Sequence, residues 1–148
     1  RHGVCLHADA AGEVMISSET TYRVLYADTD QLGVVYYGNY PRFYEIGRSE
    51  MIREMGLTYK DIEASGVGMP VVSVHAKYRH FARYDELITI RTTVHKKPEA
   101  RIIFYHEILN EEGTVIHTAE VTLAFFDLET HRPTRAPKIL MEVLDRGE

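Results

Sequence analysis

The chain has 148 residues, 45% hydrophobic and 26% charged, the balance of one compact globular domain rather than a disordered segment. A net charge of −5 argues against general nucleic-acid binding, and no run approaches the roughly 18–20 apolar residues of a membrane span. A single cysteine, Cys5, leaves no internal disulfide, and Arg1–Ala11 lack the apolar core of a secretory signal, so a cytoplasmic location is expected.

Residues 1–18 are short of aromatic side chains and show no regular period. They are expected to be a disordered N-terminal tail, with Met15 as an alternative start, ahead of a single domain over 19–148. From Thr20 to Asp28 the run is rich in β-branched and aromatic residues, which predicts a strand. A polar turn at Thr29–Gly33 follows it. Tyr40, Phe43, Tyr44, Gly47, Met51 and Met55 then recur at three- and four-residue spacing, while Arg42, Glu45, Arg48 and Arg53 lie elsewhere on the wheel. This predicts a long amphipathic helix with Pro41 in its first turn and Gly56 as its stop. Gly47, on the apolar stripe, allows another element to approach closely.

A short polar helix or loop over Tyr59–Gly66 leads to strands at Val71–Phe81, Leu87–Lys96, Arg101–Leu109 and Thr114–Asp127. Turns are expected at Arg83–Glu86 and Asn110–Gly113, a loop at Arg132–Pro137, and a last helical turn at Ile139–Leu144. One apolar-faced helix followed by antiparallel strands is an α+β arrangement, and its simplest packing wraps one curved sheet around the helix.

The stretch Asp28 to Tyr40 carries the chemistry. It sets a carboxylate between a strand and the start of a buried helix, where backbone N–H groups have no intrahelical partner. Such donors can bind the oxygen of a polarised carbonyl. A carboxylate beside them can attack that carbonyl or activate water to do so. Spacing alone leaves a second reading open, in which Asp28 and Asp30 cap the helix or solvate the loop.

The pattern Asp28-x-Asp30-x-x-Gly33-x-Val35-x-Tyr37-x-Asn39-Tyr40, followed by Phe43-Tyr44-Glu45, resembles the signature of the 4-hydroxybenzoyl-CoA thioesterase family and its YbgC-like acyl-CoA thioesterase relatives. The similarity extends from about Thr20 to about Pro137, through Phe81-Ala82-Arg83-Tyr84-Asp85-Glu86-Leu87 and the Asp127…Arg132-Pro133 end. It implies a hotdog fold, a five-stranded antiparallel sheet wrapped around one long helix. It also implies a homodimer or a tetramer built as a dimer of dimers, with active sites between subunits.

Carried onto this chain, the resemblance makes Asp30 the catalytic carboxylate, as nucleophile or general base. The N–H of Tyr37, with that of Gly38 beside it, polarises the thioester carbonyl. Many YbgC-like members have His where Tyr37 stands, whereas the 4-hydroxybenzoyl-CoA type has Tyr there and Asn two residues on, as Tyr37 and Asn39 do. Lys96, Lys97 and Arg101, near where relatives place basic residues against coenzyme A phosphates, join Asn39 as expected substrate-binding residues. The thiolate leaves without strong acid assistance, so neither metal nor redox cofactor is required, and coenzyme A is part of the substrate. The acyl group arrives on coenzyme A or on an acyl carrier protein.

Other chemistries find less support. His75 and His80 have opposite strand parity, and His106 and His117 could face each other across the Glu111-Glu112 turn, yet none has ligand spacing for a metal. Half-exposed sheet histidines are expected instead. The absence of G-x-S-x-G, G-x-x-x-x-G-K-[ST] and strand-linked G-x-G-x-x-G removes serine-hydrolase, nucleoside-triphosphate and dinucleotide readings. A hotdog hydratase or dehydratase needs a His on the long helix, and Tyr40–Met55 has none. A module that holds acyl-CoA or acyl carrier protein without turnover is the non-enzymatic alternative.

Overall fold

Alternating inward and outward residues dominate the chain after residue 86, and they set the architecture. The computed structural model describes residues 3–8 and 14–146, with side chains from 16 to 145. In chain order the elements are β1 (Gly3–Ala8), β2 (Val14–Arg23), α1 (Tyr40–Glu54), α2 (Tyr59–Ala64), β3 (Val67–Gly68), β4 (Val71–Tyr78), β5 (Leu87–Val94), β6 (Arg101–Leu109), β7 (Val115–Ala124), β8 (Phe126–Asp127) and α3 (Lys138–Arg146). Two 3-10 turns, Tyr26–Asp28 and Tyr37–Asn39, lie between β2 and α1.

One antiparallel sheet has the order β1-β2-β5-β6-β7-β4, and β3 pairs separately with β8. Strands β2, β5, β6, β7 and β4 are the five expected, and β1 adds a sixth at the β2 edge. Ile88, Ile90, Thr92 and Val94 of β5 and Ile102, Phe104, His106 and Ile108 of β6 all point to the buried face. Helix α1 lies across that face and buries Tyr40, Phe43, Tyr44, Gly47, Met51 and Ile52. Each large apolar side chain sealed there contributes about 1.5–3 kcal/mol. This is the wrapped-helix arrangement of the hotdog fold. No helix among the described residues is long and apolar enough to cross a membrane.

Gly56 has a φ of +94°, a left-handed conformation that ends α1 where the sequence predicts. Two expectations need correction. Residues 14–18 belong to β2 rather than to a disordered tail, since Ile16 pairs with Val94 and both Ile16 and Ser18 are buried. Residues 3–8 likewise form β1, while 1–2 and 9–13 lie outside the described residues. The strand expected over Thr20–Asp28 stops at Arg23, because the Asp28 carboxylate accepts the N–H of Leu25 and folds the following residues into a 3-10 turn.

Candidate active site

The site is built by a loop that leaves β2 and returns to start α1. Val24 extends the pairing with the β5 side by one step, donating to the Glu86 carbonyl and accepting from Asp85 N–H at 2.9 and 3.0 Å. Asp28 then turns inward and is 1% exposed. Its Oδ2 accepts the Tyr22 hydroxyl and the Leu25 N–H, each at 2.8 Å, and its Oδ1 is ion-paired with Arg42 of α1. A buried carboxylate must be compensated in this way. Of the two aspartates, Asp28 is the structural anchor.

Asp30 is half-buried and opens a tight turn. Its N–H donates to the Val34 carbonyl and its carbonyl accepts from Gly33, at 2.9 and 3.0 Å. Gly33 has a φ of +81°, which a residue with a side chain adopts only under strain. The Leu32 N–H donates to Asp30 Oδ1 at 2.8 Å, fixing the carboxylate, and among the described residues Oδ2 has no hydrogen-bond partner. The Phe81–Leu87 motif supports this turn from behind. Val35 donates to the Ala82 carbonyl at 2.8 Å, Tyr84 donates to Gly33, and Val34 bridges to Arg83.

Tyr37, Gly38 and Asn39 form the 3-10 turn ahead of α1. Asn39 N–H donates to the Tyr36 carbonyl at 2.9 Å, but the N–H groups of Tyr37 and Gly38 find no acceptor among the described residues. They are the orphan donors of a helix start. A Cβ at position 38 would stand 2.7 Å from the Tyr36 ring, so glycine lets that ring lie against the turn. The two halves are stitched together. The Asp28 carbonyl accepts both Tyr36 N–H at 2.9 Å and Asn39 Nδ2 at 2.8 Å, and Thr29 bridges to Val35. The structure therefore brings Asp30, Tyr37 and Gly38 onto one closed loop.

Asn39, expected from the sequence to bind substrate, stands at the junction of the loop and α1. It occupies the N-cap of α1 without capping it, because its amide is committed to Asp28. Its Nδ2 thereby ties the start of α1 to the Asp30 loop. The basic residues lie apart from the loop within one chain. Lys96, Lys97 and Arg101 line a cleft of about 630 Å³ with His95, Ile103 and Tyr105. That cleft lies past the Val94 end of β5, whereas the Asp30 loop lies at its Leu87 end, roughly 25 Å away for a strand of this length. Lys97 is paired with Asp145 of α3, while Lys96 and Arg101 are exposed and make no ion pair among the described residues.

Comparison with known proteins decides the family. The model of the thioesterase-like superfamily matches residues 24–144. The chain belongs to this superfamily. It is 33% identical over 119 residues to the acyl-CoA thioester hydrolase YbgC of Escherichia coli, covering 80% of this chain and 89% of that one. It is 31% identical over 117 residues to the acyl-CoA thioesterase YbgC of Haemophilus influenzae, covering 78% and 85%. Among solved structures, the DHNA-CoA thioesterase of Staphylococcus aureus superposes with a TM-score of 0.82 at 30% identity, over 88% of this chain and 89% of that one.

Within this thioesterase-superfamily domain, several contributors near the site have no obvious signal in the sequence. Arg42 falls on the polar side of the helical wheel, yet it holds Asp28. Tyr78 of β4 donates its hydroxyl to the Tyr37 carbonyl at 3.0 Å. His106 and His117 are not half-exposed but sealed between sheet and helix, 1% and 0% exposed. They are not paired opposite each other either, since His106 faces Ala119 and His117 faces Ile108. His106 Nδ1 meets the Thr92 hydroxyl at 3.0 Å, and His117 Nε2 meets the Tyr44 hydroxyl. Burial pushes His106 down to about 3, helped by the charge of Arg48, and pushes His117 down to about 4. Both rings are therefore neutral at ordinary pH and shielded from any substrate.

Proposed function

We propose that the chain hydrolyses acyl- or aroyl-coenzyme A to the free acid and coenzyme A, with Asp30 as the reacting carboxylate. The thioester carbonyl oxygen accepts the N–H groups of Tyr37 and Gly38, and charge developing on that oxygen is stabilised there. Asp30 Oδ2 either attacks the carbonyl carbon, giving a mixed anhydride that water then hydrolyses to the free acid, or takes a proton from a water that attacks directly. In both cases the C–S bond breaks and the thiolate leaves. The reaction so written uses no metal and no redox cofactor. The observation that carries this reading is the stitched loop, in which the Asp28 carbonyl closes the Asp30 turn onto the first turn of α1. Coenzyme A thioesterase names among similar proteins support the same substrate class.

The reading includes a second copy of the chain. Strand β4 is an edge strand exposed along its whole length, with Val71, Val72, Val74 and Tyr78 each more than 40% exposed. A long apolar edge left bare is a pairing site. β4 runs from the Arg101 end of the sheet, where Val71 faces Leu123, to the Asp30 end, where Tyr78 faces His117. Antiparallel pairing of two β4 strands about a two-fold axis sets the Arg101 end of one protomer beside the Asp30 end of the other. The nucleotide of the substrate then meets the partner's Lys96 and the partner's Arg101.

The test is release of free thiol from a panel of acyl-CoA and acyl-carrier-protein thioesters, with wild type and Asp30→Asn side by side. Wild type is expected to turn over at least one acyl-CoA. Asp30→Asn is expected to lose at least about 100-fold in kcat with its melting curve unchanged. Wild-type turnover by the variant removes Asp30 from the mechanism.

A further inference from the structure

The turn carrying the two carbonyl donors is gripped from outside by the neighbouring sheet edge. The hydroxyl of Tyr78, the last residue of β4, donates to the Tyr37 carbonyl at 3.0 Å. In α-helical register that carbonyl would accept from residue 41, but residue 41 is proline and has no N–H. The Tyr78 hydroxyl thus adds a side-chain donor from another element to the i→i+3 register of the 3-10 turn.

The direction of this bond has a chemical consequence. A trans peptide is planar, so the C=O of Tyr37 and the N–H of Gly38 are opposite edges of one rigid unit. Anchoring the carbonyl toward β4 points the Gly38 N–H the other way. The preceding peptide is set by the same logic from within the turn, since the Tyr36 carbonyl accepts from Asn39 and thereby orients the Tyr37 N–H. One donor is aimed by the backbone and the other by a side chain from a different element.

We infer that Tyr78 is a positioning residue for hydrolysis, whose O–H holds the Tyr37–Gly38 peptide so that the Gly38 N–H faces the thioester carbonyl. This rests on the reading of that turn as the polarising element. The ring is itself held, edge-on to His117 at 4.6 Å and to Tyr40 at 5.2 Å, so the hydroxyl has little freedom to swing away. Its surroundings push the Tyr78 phenol up, desolvation foremost, so it stays protonated and able to donate.

The experiment uses the full chain and any acyl-CoA that wild type hydrolyses, and it compares Tyr78→Phe with Asp30→Asn. Tyr78→Phe keeps the ring contacts and removes only the donor. It is expected to lower kcat roughly tenfold, less than the loss when an oxyanion donor is removed outright, with KM within about twofold of wild type. The Gly38 amide resonance is expected to move in the same variant. Replacing Tyr78 by 4-aminophenylalanine, which keeps the ring and restores an N–H donor, is expected to bring kcat back to within about threefold. Unchanged kcat in Tyr78→Phe beside an inactive Asp30→Asn overturns this inference and leaves the active-site reading standing. Failure of the amino variant to recover activity, or a loss seen only in KM and melting temperature, also overturns it. An active Asp30→Asn instead overturns the reading beneath it.

Discussion

Gly47 of α1 faces Thr92 of β5 so closely that a Cβ on the glycine would stand 2.4 Å from the threonine Oγ1. The same atom would lie 2.8 Å from Ile90 Cγ2. The hydroxyl is not free to retreat, because it is bonded to His106 Nδ1 in the core. Gly47→Ala is therefore expected to destabilise the fold by about 2 kcal/mol, the scale of overpacking a dense core, despite alanine's better helix propensity. Urea unfolding reads this directly. An unchanged midpoint would show that helix and sheet separate at no cost.

The two buried histidines make stability pH-dependent in a defined window. Their folded values, about 3 for His106 and about 4 for His117, lie below the ordinary 6.5. Above pH 6.5 both states are neutral and the full stability is present. As pH falls below 6.5 the unfolded chain takes up protons that the folded chain refuses, so stability drops until the folded rings titrate. Each ring contributes a slope of up to about 1.4 kcal/mol per pH unit in that window. His106→Gln is expected to flatten the fall of the urea midpoint between pH 6.5 and 4.5 relative to wild type. Parallel pH profiles would remove His106 as a cause.

How much of this could be read in advance depended on whether inward-facing residues were apolar. The stripe Phe43, Gly47 and Met51 follows helical period and is buried as the sequence indicates. The start of β2 was hidden because its inward residues are Ile16, Ser18 and Thr20, two of them polar. Ser18 is accommodated there by donating to Glu54 at the end of α1. His106 could have been placed, since it shares parity with Ile102, Phe104 and Ile108. His117 could not, because a bulge between Ile108 and Leu109 shifts the register and buries both Ile116 and His117. For the site, the chain order of Asp30, Tyr37 and Gly38 was legible. The bonds that clamp their loop from Ala82, Tyr84 and Tyr78 cross between distant segments and leave no local pattern.

Asp28 is expected to matter for the loop rather than for bond-breaking. Asp28→Asn keeps the shape but removes the charge that Arg42 and the Tyr22 hydroxyl face inside the protein. Arg42 is half-exposed and regains water, so the cost is set near 2 kcal/mol rather than at the upper range for broken buried pairs. Thermal unfolding should register it, with kcat reduced less than in Asp30→Asn. Equal kinetic damage from both changes would contradict the division of labour between the two aspartates.

The basic residues of the β5–β6 connection should separate by their existing partners. Lys96 and Arg101 make no ion pair among the described residues, whereas Lys97 is engaged by Asp145. Removing Lys96 and Arg101 together, each to Ala, is expected to raise KM for acyl-CoA about tenfold with little change in kcat. Lys97→Ala should raise it less. A truncated acyl thioester without the nucleotide should be indifferent to all three changes, and equal effects on both substrates would exclude phosphate contact.

The last expectation concerns the edge of the sheet. Val74 sits in the middle of β4, opposite Val121 on β7, and is 43% exposed. If two copies pair there, a lysine at the centre of the seam puts two like charges beside each other about the two-fold axis, the device by which natural edge strands avoid partners. Val74→Lys is expected to sediment as a monomer while retaining the wild-type circular dichroism spectrum. It is also expected to raise KM for acyl-CoA about tenfold, although Asp30, Tyr37, Gly38 and Tyr78 are all intact, because the partner's Lys96 and the partner's Arg101 no longer stand beside Asp30. A folded monomer with full activity would place the whole catalytic site inside a single protomer and refute the shared site.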